Sequence, residues 1–186
     1  MYTVIGLGNV GDEYKNTRHN VAWIVFDDFI SSDRWQKNKY AESEIANTRI
    51  SDNDVLFVKP LTFMNESGRV LPYLMKTYGT SISNLIVVHD DIDLPLGITK
   101  ISYERGDGGH NGVKSIMAHL ESKEFIRVRI GVSLLDENGI IRKPDVLGNF
   151  NKEESEIIKN TVAPRVAKII EIIIKEGKDK AMTLYN

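Results

Sequence analysis

The chain has 186 residues, 41% hydrophobic and 27% charged, which suits one domain with a real core and argues against wholesale disorder. A net charge of -2 and a pI near 6.1 exclude a globally basic nucleic-acid binder, so any RNA or DNA site must be a local patch. The absence of cysteine excludes disulfides, thiolate nucleophiles and zinc–thiolate sites, and no apolar run approaches the roughly 18 to 20 residues of a membrane helix.

Tyr2 to Ile5 is an apolar run that predicts a buried first strand. Its start lacks the basic stretch and cleavage site of a signal peptide, so a cytoplasmic location is expected. The strand opens directly onto Gly6-Leu7-Gly8-Asn9-Val10-Gly11-Asp12-Glu13-Tyr14-Lys15-Asn16-Thr17-Arg18-His19-Asn20. Its first six residues match G-x-G-x-x-G, the dinucleotide fingerprint. That site needs its third glycine to start a helix whose amides face a pyrophosphate. Here Gly11 is followed by two carboxylates and no apolar stripe. The acid that would bind a ribose should end a second strand, but Asp27 and Asp28 fall inside a helical pattern. A nucleotide-cofactor oxidoreductase is therefore disfavoured.

Val21, Ile24, Val25, Asp28 and Phe29 follow helical spacing, with Asn20 placed to cap them. Lys39 to Ile50 alternates loosely and predicts an exposed strand. The turn cluster Ser51-Asp52-Asn53-Asp54 then joins it in a hairpin to the buried run Val55 to Val58, which Lys59-Pro60 stops. Phe63 to Tyr78 predicts one helix closed by Gly79. Leu85 to Val88 is a fully apolar strand ending in His89-Asp90-Asp91-Ile92-Asp93.

Ile98 to Tyr103 predicts a half-exposed strand, and Gly106 to Gly112 a loop feeding a helix with Val113, Ile116, Met117 and Leu120 on one face. Phe125 to Val132 alternates with Arg127 and Arg129 to give a strand with a basic face. From Lys152 a long apolar stripe runs through Ile158, Val166 and Ile173, with Pro164 predicting a kink or a break. The pattern is α/β: a single domain over residues 1–186, with a mixed central β-sheet and helices on both faces. In such sheets ligands sit beyond the carboxyl ends of central strands, so the loops after Ile5, Val58 and Val88 are expected to share a cleft.

His19 is the natural candidate for a neutral-pH base in a chain without other activated nucleophiles, and such catalysis contributes about 10²- to 10⁴-fold. It needs a carboxylate to orient it. The cluster after Val88 could supply one, could hold Mg²⁺ or Mn²⁺, or could cap turns around Pro95 and Gly97. Adjacent residues of an extended segment point to opposite sides, which makes joint ligation by Asp90 and Asp91 awkward. Asn9, Asn65 and Asn111 offer neutral donors and acceptors suited to a peptide backbone or an oxyanion. Basic residues thicken after Gly97, including Lys100, Arg105, Lys114, Arg127 and Arg129, and could form a phosphate-binding strip beside the cleft.

Taken together and in order, these residues closely resemble the bacterial-type peptidyl-tRNA hydrolase family. The resemblance rests on G-L-G-N…G-x-x-Y-x-x-T-R-H-N, on Lys59-Pro60-x-Thr62-Phe63-Met64-Asn65-x-Ser67-Gly68, and on His89 to Gly97. It continues through Gly108-Gly109-His110-Asn111-Gly112-Val113-Lys114, Arg129-Ile130-Gly131, Val146-Leu147-Gly148-x-Phe150 and Ala181-Met182. It implies a monomeric esterase that needs no metal or cofactor and frees tRNA from peptidyl-tRNA. By the resemblance His19 is the general base, Asp90 its partner, and Asn9 part of the catalytic set. Asn65 and Asn111 would bind the peptidyl end, Tyr14 and Met64 would shape the pocket for the tRNA end, and Lys100 and Arg129 would lie on the acceptor-stem path. Val10 stands where family members commonly have proline, Ser102 where a basic residue is common, and Thr183 where an asparagine is expected. A metal-dependent hydrolase using Asp90, Asp91 and Asp93, and a non-catalytic RNA-binding relative, are the alternatives.

Overall fold

The computed structural model describes residues 1–186, and its centre is the strand predicted first. β1 (Tyr2–Gly6) lies parallel to β4 (Asn53–Pro60) on one side and to β5 (Leu85–Pro95) on the other. β3 (Ser43–Ile50) pairs antiparallel with β4, and the short β2 (Gln36–Asn38) adds to its outer edge. Beyond β5 come β7 (Ile126–Leu135), parallel to it, and β6 (Thr99–Tyr103), antiparallel to β7. The order is thus β2-β3-β4-β1-β5-β7-β6, with β8 (Ile141–Arg142) paired to the far end of β7.

Two apolar layers explain why the central runs are continuous rather than alternating. Ile86 and Val88 pack into a 27-residue cluster with α1 (Val21–Phe29), α5 (Ala163–Glu176) and α6 (Lys178–Tyr185). Leu85 and Val87 pack into a 15-residue cluster with α2 (Leu71–Tyr78) and α3 (Asn111–Leu120). Burying one such side chain contributes about 1.5–3 kcal/mol, so a one-residue slip of β5 would exchange every contact. The expected α/β class, mixed sheet and two helical layers are all present.

Four local expectations change. β5 does not stop at Val88 but runs on through the acidic cluster to Pro95, because partners on neighbouring elements take up the Asp90 and Asp91 carboxylates. The strand expected over Lys39 to Ile50 begins only at Ser43, and its first half is largely buried. The helix expected over Phe63 to Tyr78 is a 3₁₀ segment, Met64–Val70, followed by α2, with Gly79 left-handed at the end as expected. At Pro164 the helical run is not broken. α4 (Lys152–Ile157) passes through a π turn, Ile158–Val162, into α5, whose first turn holds the proline. The i→i+5 pairing of a π turn lets the ladder step past the missing proline donor.

Candidate active site

The loop after β1 forms no phosphate-cradling helix. Gly11 has φ 127°, open only to glycine, and Asp12–Tyr14 is a single 3₁₀ turn. The loop instead lies across the carboxyl ends of β1, β4 and β5, held by Leu7 N donating to Val88 O and Val10 N to Thr62 O. It returns as a second 3₁₀ turn, Arg18–Asn20, before α1.

Within that turn His19 meets β5. His19 Nδ1 lies 2.9 Å from Asp90 Oδ1, and His110 Nε2 lies 2.8 Å from the same oxygen. The tautomers follow from the remaining bonds. His110 caps α3, its Nδ1 accepting from Gly112 N at 3.1 Å and Val113 N at 3.3 Å, so its proton sits on Nε2 and is donated to Asp90. His19 donates from Nδ1, which leaves its Nε2 lone pair as the one free basic atom of the pair. Burial would raise the Asp90 carboxyl, but the electrostatic influence of the His110 imidazole and the hydrogen bonds from His110 and His19 outweigh it and hold Asp90 well below the usual carboxylate range. Asp90 is therefore a carboxylate at working pH.

A third histidine closes the group. His89 is buried, donates Nδ1 to the Asp90 carbonyl at 2.6 Å, and packs edge-on against the His110 ring at 4.7 Å. Burial first, then the nearby His110 imidazole and the Arg127 guanidinium, push its pKa well down, so it is neutral. His19, Asp90 and His110 place three ligand atoms within 4.8 Å, a spacing open to a metal ion. The cap on α3 opposes that use, because it keeps the proton on the His110 nitrogen an ion would need. Asp90, Asp91 and Asp93 do not converge either: Asp91 accepts from Arg129 Nε at 2.6 Å, and Asp93 pairs with Lys143 at 2.7 Å.

Asn9 is fixed by a residue expected to do something else. Asn20 occupies the N-cap position of α1 that the sequence predicts, but its side chain makes no capping bond. Its Oδ1 accepts from Asn9 N and its Nδ2 donates to Asn9 O, both at 2.9 Å. Asn9 Oδ1 then accepts from Met64 N at 2.8 Å, which settles the amide orientation and leaves Nδ2 as a donor.

A cleft of about 770 Å³ opens beside the histidines. Of the expected site residues, His19, Asp90, Asn111, Lys100 and Arg129 line it. Asn9 and Met64 are buried behind the His19 turn, Tyr14 meets Phe63 edge-on at 6.5 Å, and Asn65 is exposed on the 3₁₀ segment; none of these four lines the cleft. Met64 is nonetheless close to the histidines. A Cβ on Gly112 would fall 2.4 Å from Met64 Sδ and 3.2 Å from His110 Cε1, so only glycine fits between them. The basic wall comprises Lys100, Arg105, Arg127 and Arg129, with Arg127 buried and Arg129 tied to Asp91.

Comparison with known proteins gives this arrangement its family. The family model described as peptidyl-tRNA hydrolase matches residues 3–186. The chain belongs to the peptidyl-tRNA hydrolase family. A peptidyl-tRNA hydrolase of Thermotoga petrophila is 44% identical over 184 residues, covering 98% of this chain and 96% of that one. One of Bdellovibrio bacteriovorus is 41% identical over 190 residues, covering all of both. The crystal structure of the Acinetobacter baumannii peptidyl-tRNA hydrolase superposes with a TM-score of 0.83 at 26% identity, covering 100% of this chain and 94% of that one.

Two residues join this site that the sequence does not single out for it: His110 stands in the sequence only as part of a motif, and Asn20 as a helix cap. The single available signal was their adjacency to Asn111 and His19.

Proposed function

We propose that the protein hydrolyses the ester joining a peptide to the terminal ribose of tRNA, with His19 Nε2 as the base. The observation that carries this reading is the Asp90 carboxylate accepting from His19 Nδ1, which aims the other ring nitrogen, unprotonated, away from its partner. Water loses a proton to Nε2 as its oxygen attacks the ester carbonyl. Asp90 stabilises the resulting imidazolium, and Asn9 Nδ2, the donor left over from its bond to Met64, is assigned to the developing oxyanion. Collapse of the tetrahedral intermediate breaks the bond to the ribose oxygen, which takes the proton back from His19. Free tRNA and a peptide carboxylic acid leave, with no covalent enzyme intermediate.

In the same reading Asn65 and Asn111 hold the peptidyl end, and Tyr14 and Met64 shape the pocket for the tRNA end. Lys100 and Arg129 lie along the path of the acceptor stem. The protein acts as a monomer in the cytoplasm, where peptidyl-tRNA is released during translation, and no helix is long and apolar enough to cross a membrane. A non-catalytic RNA-binding relative has little use for a base and carboxylate buried together, so that alternative is not favoured.

The test is incubation of the purified protein with N-blocked aminoacyl-tRNA, with and without EDTA. Release of free tRNA in both arms is expected. No release in either would sink the reading, and loss only with EDTA would replace the water-activating histidine by a metal.

A further inference from the structure

Four consecutive side chains of the returning loop each reach a different partner. Thr17 Oγ donates to Tyr14 O, Arg18 reaches the first turn of α4, His19 reaches β5 and Asn20 holds Asn9. The function above accounts for the last two. Arg18 is unaccounted for: it points away from the cleft, and its side chain is only 9% exposed.

Its contacts are unusually complete. Arg18 Nη2 donates to both carboxylate oxygens of Glu154, at 2.8 and 3.0 Å, while Nη1 donates to Val132 O at 3.4 Å. The guanidinium lies 4.8 Å from the Phe150 ring centroid. Glu154 is itself locked, being the reciprocal member of the capping box that starts α4, with its Oε2 accepting from Asn151 N at 2.8 Å. The backbone repeats the connection. Arg18 N donates to Gly148 O, His19 N to Val146 O, and Phe150 N to Asn16 O.

A buried ion pair is a weak source of stability, because desolvating both charges offsets their attraction and a packed apolar pair can do as well. A guanidinium held by two oxygens, a carbonyl and a ring face supplies direction instead. Direction is what this turn needs. Arg18 and His19 share a three-residue 3₁₀ turn, too short to hold its own geometry. If the Arg18 anchor rotates, His19 rotates with it.

We propose that Arg18 and Glu154 are positioning residues for the reaction, fixing the His19 ring over Asp90 from outside the cleft and making the start of α4 part of the active-site framework. This rests on His19 being the base. The variants are Glu154→Gln, which keeps the shape and removes the charge, and Arg18→Lys, which keeps the charge and removes the fork. In each, kcat should fall about 10- to 100-fold, the scale of a small misplacement of a catalytic group, while KM stays within about twofold. In proton spectra the hydrogen-bonded His19 Nδ1 resonance, assigned by its loss in His19→Ala, should broaden or vanish. Glu171→Gln, which breaks an exposed pair with Lys168 and Lys175 on α5, is the control and should leave both readings unchanged.

A folded variant with kcat within twofold of the parent, or with an unaltered His19 resonance, overturns the proposal; so does a rise in KM alone. If Glu154→Gln does not fold, Arg18→Lys decides. If the parent protein releases no tRNA, the functional reading fails, while the resonance still reports whether the pair positions His19.

Discussion

The histidine centre and the basic wall lie along one cleft, yet they are built in opposite ways. At the centre the groups are held by partners that set their orientation, with the buried His89 Nε2 as the exception: Asp90 lies between two imidazoles, Asn9 between Asn20 and Met64, and His110 at the start of α3. On the wall partners are few. Arg129 shares its charge with Asp91, Lys100 has no ion pair, and the buried Ser102 Oγ has no hydrogen-bond partner. The difference fits the two tasks proposed for them. Proton transfer needs atoms fixed within a fraction of an ångström, whereas a flexible phosphate backbone can be met by charges that adjust.

The sharpest break in this contrast is His19→Ala, which should lower kcat by at least about a hundredfold with little change in KM. Near-normal turnover in a single-turnover assay would move the base elsewhere. Asn20→Ala comes next. It removes two hydrogen bonds to the Asn9 backbone, each worth about 0.5–1.5 kcal/mol, so kcat should drop roughly tenfold if Asn9 loses its aim. A change confined to thermal stability would reduce Asn20 to a structural role.

Arg129→Gln should act on the wall alone. KM should rise a few-fold, kcat should hold, and the salt dependence of substrate affinity should lose about one counterion. An unchanged salt slope would remove Arg129 from the RNA path. The smallest effect concerns His89, whose pKa is held well below the ordinary value of about 6.5. The unfolded chain therefore takes up a proton first as pH falls, and stability declines below pH 6.5 by up to about 1.4 kcal/mol per pH unit. Denaturation of His89→Asn at pH 7.5 and 5.5 should show a flatter decline; an identical slope would assign the acid loss to other groups.

Much of this was legible in the residues themselves. Continuous apolar runs mark β1, β4 and β5 because strands buried on both faces cannot alternate. The carboxylates after Gly11 argue against a phosphate cradle, and the observed 3₁₀ turn agrees. The ordered motifs brought out the family and, with it, candidates for the chemistry.

What the sequence could not settle is where two or more distant elements meet. Asp90 and Asp91 look like a turn cluster until His19, His110 and Arg129 arrive from elsewhere to hydrogen-bond them, and only then can β5 continue through them. Asn20 sits where a cap belongs, but a side chain has one set of hydrogen bonds to give, and the approaching Asn9 backbone took them. Pro164 is a helix breaker by local chemistry, and a π turn absorbed it. Nothing in the local pattern around Arg18 points to Glu154, 136 residues further on. Local propensity and periodicity therefore determined the elements, the helical layers and the candidate residues. The partner of each buried polar group was decided by the fold, since in a low-dielectric interior such groups cannot stay unpaired and only tertiary packing determines which partner is within reach.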